Sequence, residues 1–102
     1  MKVVQRGIMK ILPGKMAEAM ELSKEWVASV SKLGMSEIKI YSRLTGSGDV
    51  MRTLVFQGEW DSFVTMATAM DKMFADPEMK KTMAKWDAVT ESHQVELLAP
   101  IQ

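Results

Sequence analysis

The sequence predicts an α+β fold, a single antiparallel sheet with its helices packed on one face. Three observations predict it: four short stretches read as strands, two longer stretches between them carry apolar residues at every third or fourth position, and segment 56–70 (FQGEWDSFVTMATAM) changes its hydrophobic period in mid-course. A strand is therefore expected to run directly into a helix near Trp60.

Residues 2–12 (KVVQRGIMKIL) are rich in Val and Ile with polar residues interspersed, and Pro13-Gly14 closes the run as a turn. From Lys15 to Leu33, Met16, Met20, Val27 and Val30, joined by Ala19 and Ser23, form a stripe at helical spacing, and Gly34 supplies the stop. Residues 37–44 (EIKIYSRL) alternate, with Ile38, Ile40 and Leu44 on one side and Lys39, Tyr41 and Arg43 on the other. TGSGD reads as a hairpin loop and VMRTLVFQGEW as its returning strand.

Asp61 or Ser62 can cap the next helix, whose expected face is Phe63, Met66, Ala67, Met70 and Phe74. At ADPEM the pattern breaks; Asp76 as cap and Pro77 in the first helical position mark a fresh start, with Met79, Met83 and Trp86 carrying the new stripe. Residues 93–101 (HQVELLAPI) are expected to form the last strand. The order β-α-β-β-α-β is the ferredoxin-like plan, a four-stranded antiparallel sheet with both helices on one face, in a single domain spanning 1–102.

Strand three sets Leu54, Phe56 and Trp60 on one side and Met51, Thr53 and Val55 on the other. Both sides cannot face the same pair of helices, so a second copy of the chain is expected to cover the remaining face and close a barrel-like homodimer. Thirteen basic residues balance thirteen acidic ones, which argues against nucleic acid as a partner. Cysteine is absent, which excludes disulfides and thiolate catalysis, and a single His supplies few ligands for a transition metal. No apolar run reaches the roughly 20 residues of a membrane span, and Gln5, Arg6 and Lys10 interrupt the start where a signal peptide would be apolar. A cytoplasmic protein with no cofactor is the expectation.

The chain resembles the dimeric α+β barrel superfamily that includes the antibiotic-biosynthesis monooxygenase-like proteins. The residues that carry the resemblance are Glu59-Trp60-Asp61-Ser62 at the junction of the third strand and second helix, Asp76-Pro77-Glu78-Met79 further on, and Pro13-Gly14-Lys15 before the first helix. It implies a dimeric barrel and, in some members, cofactor-independent oxidation of a phenol or quinol. Where the family element has His before Phe, this chain has Glu78 before Met79. Arg6 and Gly7 occupy the region of the Asn used by the haem-degrading branch.

Several residues are candidates for chemistry. If Ile38 and Ile40 face the helices, Tyr41 and Arg43 point into the barrel. There Arg43 or Arg52 could stabilise an anionic oxygen while Tyr41, Phe56 and Trp60 supply apolar walls. Lys39 and Arg43 are equally explained as charges guarding an edge strand. Gly7, in the middle of a strand, marks either a bulge or a close approach of ligand or backbone. His93 is the only ready-made general base, or else a surface-turn residue. The eleven methionines read as core filler suited to an adaptable pocket. Two functions follow: binding of a small apolar or aromatic molecule, between helices and sheet or inside the barrel, or monooxygenase-like catalysis.

Overall fold

The computed structural model describes residues 1–46 and 48–101. Strands β1 (Val3–Ile11), β2 (Ser36–Ser42), β3 (Thr53–Trp60) and β4 (Thr90–Leu98) form one antiparallel sheet in the order β2-β3-β1-β4. Helices α1 (Met16–Lys32), α2 (Phe63–Ala75) and α3 (Pro77–Asp87) complete the expected ferredoxin-like α+β order, the second helical segment being divided in two. No helix among the described residues is long and apolar enough to cross a membrane.

Local chemistry sets the boundaries. Gly34, at φ +112°, ends α1: its N–H donates to Ser31 O and that of Met35 to Val30 O, a left-handed cap that a side chain would strain. Ser62 caps α2 by accepting from Thr65 N at 3.0 Å. Asp76 ends α2 and accepts from Glu78 N at 2.9 Å, which with Pro77 in the first turn starts α3.

Register assigns every strand residue to a face. Val3↔Trp60, Gly7↔Phe56 and Met9↔Leu54 put these six on the helix side, with Ile38 and Ile40 of β2. Val4, Ile8, Val55 and Tyr41 lie on the other. The core is built on the helix side from Met9, Ile11, Leu54, Trp86 and Val89 at one end of the sheet, and from Val3, Trp60, Met66 and Ala69 at the other.

Both helix faces differ from the expected ones. In α1 the buried positions are Ala19, Leu22, Ser23 and Val30, so Leu22 replaces the exposed Met20. In α2 they are Met66, Ala69 and Met73, leaving Phe63 60% and Phe74 58% exposed. Hydrophobic bulk favours the phenylalanines, but the small side chain of Ala69 lets α2 lie close against Trp60, where a Phe would hold it away.

The returning strand also starts later than its pattern suggests. Val50–Arg52 is a 3-10 turn, because Asp49 accepts from Met51 N with its carboxylate and from the Thr53 hydroxyl with its carbonyl, at 3.2 and 2.6 Å. Met51 is therefore an exposed turn residue. Leu44 lies beyond β2 and is exposed, and Ser47 of the expected hairpin loop falls outside the described residues. The last strand runs from Thr90 to Leu98 rather than from 93 to 101.

Each edge strand carries a bulge. In β2 Ser36 pairs with Glu59 and Lys39 with Gln57, an extra residue accommodated where Glu37 takes φ +51°. In β4 Lys10 pairs with Ser92 but Ile11 with Thr90, so Glu91 is the extra residue. Its carboxylate pairs with Lys10 at 3.0 Å and Arg52 at 3.1 Å.

Arg52 ties this corner together. Its Nη1 also donates to Ile11 O at 2.7 Å and its Nε to Asp49 at 2.9 Å. The bond from Arg52 holds the Asp49 carboxyl below the usual carboxylate range, and bonds from Lys10 and then Arg52 do the same for Glu91. Both folded-state values lie below the unfolded ones, so this stabilisation is present above the unfolded carboxylate range of about 4 and is lost as pH falls through the folded values. Arg52→Met is expected to lower Tm at pH 7 and to flatten the acid limb of a Tm-against-pH curve. An acid limb identical to that of the wild type would show the network to be energetically idle.

Candidate functional site

Two glycines open the site. Gly7 on β1 and Gly58 on β3 both face the helices, Gly7 opposite Phe56 and Gly58 opposite Gln5. With no side chain at either, the two end clusters of the sheet leave between them a cavity of about 430 Å³, with a third buried cluster, Val30, Met73 and Met79, on the helices beside it. Trp26 and Val30 line it from α1, Met35 from the turn that follows, Met70 and Met73 from α2, and Met83 and Trp86 from α3. Phe56 stands edge-on to Trp86, centroids 5.7 Å apart at 87°, a stable aromatic arrangement that stiffens one wall. The methionines give the opposite wall a pliable lining.

The polar lining is sparse: Gln5, Asp87, Thr90 and His93, with the backbone of Gln57. Phe74, Asp87, His93 and Val95 are the exposed members and mark the mouth, between β4 and the helices. His93 pairs with Met9 on the helix side of the sheet, and its Nε2 lies 3.4 Å from where a Cβ on Gly7 would stand. Burial against this wall pushes the imidazole pKa below its ordinary value and favours the neutral ring.

The candidate residues of the sequence fall into separate places. Gly7, Phe56 and His93 meet in this cavity. Trp60 is fully buried beyond one end of it, where its Nε1 donates to Gln5 Oε1 at 2.8 Å; it holds a lining residue rather than supplying a wall itself. Tyr41 and Arg43 lie across the sheet, in a shallow depression of about 430 Å³ shared with Arg6, Ile8, Val55 and Gln57. There Arg6 donates to Gln57 Oε1 from Nε and Nη2, at 3.2 and 3.1 Å, and its Nη1 is 3.8 Å from Glu96. Arg52 is held in the corner network away from both.

Thr90, Asp87, Gln5 and Met35 are site residues that sequence reading missed. Period-two counting could have placed Gln5 beside Gly7; nothing in the sequence marks the others. Among the described residues no group of three His, Asp or Glu could hold a metal ion.

No family model matches the chain, and no curated protein matches it. Solved structures do. An uncharacterized NIPSNAP domain protein from Burkholderia xenovorans superposes with a TM-score of 0.80 at 17% identity, covering 97% of this chain and 94% of its own. SnoaB, a cofactor-independent oxygenase from Streptomyces nogalater, gives 0.78 at 14% identity, over 99% and 94%. The fold of these structures, an α+β ferredoxin-like one, is also the fold of this chain. An antibiotic biosynthesis monooxygenase shares it at a TM-score of 0.74 and 14% identity, over 98% and 99%. At these identities the likeness establishes architecture, and chemistry has to be argued from the cavity itself.

Proposed function

We propose that the chain binds a small apolar or aromatic molecule in the cavity between sheet and helices. The cavity carries this reading: about 430 Å³, walled by Trp26, Phe56, Trp86 and methionines, with few polar groups. That is the size and character of a small-molecule site, for which roughly 300–1,000 Å³ is usual. A thermal-shift series with naphthalene and indole tests it. Saturable binding of one molecule per chain is expected, with a Tm that rises with ligand concentration as binding to the native state alone requires. No saturable binding of either compound would remove the reading.

The functional unit we propose is a cytoplasmic homodimer. Val4, Ile8, Tyr41 and Val55 on the sheet face away from the helices support it, since no layer among the described residues covers them. Sedimentation at micromolar concentration is expected to give twice the 11.5 kDa of the chain; a homogeneous 11.5 kDa species would overturn the dimer.

A second reading, cofactor-independent oxidation of a phenol or quinol, is supported by the likeness to SnoaB and by a neutral His93 in the cavity wall, where it can take a substrate proton. Oxygen consumption with a quinol, lost in His93→Gln, would select it over binding alone.

A further inference from the structure

Two polar groups on the strand side of the cavity lack protein partners among the described residues. The Thr90 hydroxyl oxygen is buried there without a hydrogen bond, an arrangement that costs free energy unless a ligand or solvent completes it. The His93 imidazole has no hydrogen bond among the described residues either, and its Nε2 leans over the cavity floor at Gly7. Residues three apart on a regular strand face opposite sides. The Glu91 bulge alters that count, so that Thr90 and His93 pair with Ile11 and Met9, neighbours on one face of β1. Both therefore look toward the helices.

The missing side chain of Gly7 makes the arrangement possible. A larger residue at this position would fill the floor of the cavity beneath the imidazole. The charge of the lining points the same way: Asp87 stands at the mouth, and among the described lining residues there is no Lys or Arg. An anion entering here would lose its hydration with no cation to receive it.

We propose that Thr90 and His93 are the ligand-orienting pair of the cavity, that Gly7 leaves the floor open for their ligand, and that the occupant is an uncharged flat molecule bearing a hydrogen-bond donor. This rests on the cavity being a small-molecule site, as proposed above. The donor on the ligand is shared by two acceptors, the neutral imidazole and the Thr90 hydroxyl oxygen, the latter covered in the free protein and reached by a small shift of the cavity wall. The apolar remainder of the ligand lies against Phe56, Trp86 and the methionines.

Calorimetric titration with three compounds of similar size tests the proposal: indole, which has an N–H; indene, which lacks it; and indole-2-carboxylate, an anion. Wild-type protein is expected to bind indole roughly three- to tenfold tighter than indene, the value of one hydrogen bond, and the carboxylate weakest. His93→Phe should bring the indole and indene affinities together while indene binding persists. Thr90→Val, which conserves shape, should reduce the indole preference without lowering Tm. Gly7→Ala places a methyl in van der Waals contact with Nε2 and should weaken indole more than indene in a folded protein.

An indole preference that survives in both His93→Phe and Thr90→Val would overturn the pair while leaving the cavity as a binding site. So would equal wild-type affinities for indole and indene. A carboxylate that binds tightest would overturn the assignment of an uncharged ligand. If none of the three binds, the small-molecule reading itself falls, and this proposal falls with it.

Discussion

Trp60→Ala is expected to remove about 3–5 kcal/mol of folding stability, the usual cost of deleting a large buried aromatic side chain. That is a large part of the roughly 5–15 kcal/mol by which a domain of this kind is stable. Trp60 is 0% exposed, and Val3, Met66 and Ala69 pack with it, so that it joins β1, β3 and α2 at one end of the sheet. Trp60→Phe separates packing from hydrogen bonding: it retains much of the apolar area but leaves Gln5 Oε1 without its donor, for an expected loss of about 1–3 kcal/mol. Urea denaturation followed by far-UV circular dichroism measures both. A Trp60→Ala loss below about 1 kcal/mol would show that this end of the core is not cooperative with the rest.

The largest effect on binding is expected from Gly58→Ala. A Cβ here would overlap Met35 Sδ and lie 2.7 Å from its Cγ, so the thioether has to move. Met35 and Gly58 both line the cavity, and that is the open space into which the thioether can turn. The variant should be destabilised by about 1–3 kcal/mol through overpacking and should bind indole at least about tenfold more weakly. Adding Met35→Ala removes the obstruction and should restore most of the affinity, a coupling that a double-mutant cycle isolates. Gly58→Ala with unchanged indole affinity would show that ligands bind somewhere other than between the sheet and the helices.

Much of this architecture is legible one residue at a time. Alternation in EIKIYSRL separates Ile38 and Ile40 from Tyr41, and the structure places them on opposite faces. Ser62, Asp76 with Pro77, and Gly34 mark helix ends because capping is a transaction between a side chain or a backbone angle and the nearest few peptide groups. Faces of helices are less legible. Phe63 and Phe74 outweigh Ala69 in any hydrophobic count, yet the sheet accepts the face that lets the helix come nearer.

The candidate site was legible only in part. Gly7, Phe56 and His93 meet because strand parity and register bring them together. Tyr41 and Arg43 obey the same parity on the opposite face, so pooling them with Phe56 joined two surfaces of one sheet. Thr90 was hidden by the bulge, which a period-two count does not anticipate, and Met35 by its place in the turn after α1.

The sequence by itself determined the order of the elements, their caps, and the alternation that divides each strand between two faces, because all of these depend on neighbours within a few residues along the chain. Only the tertiary structure decided that two glycines on adjacent strands leave a cavity, that a bulge at Glu91 turns Thr90 and His93 toward it, and that Trp60 holds Gln5 instead of walling the cavity itself. Those outcomes depend on which residues lie opposite one another across strands and on how near a helix can approach, quantities set by packing between segments far apart in the chain.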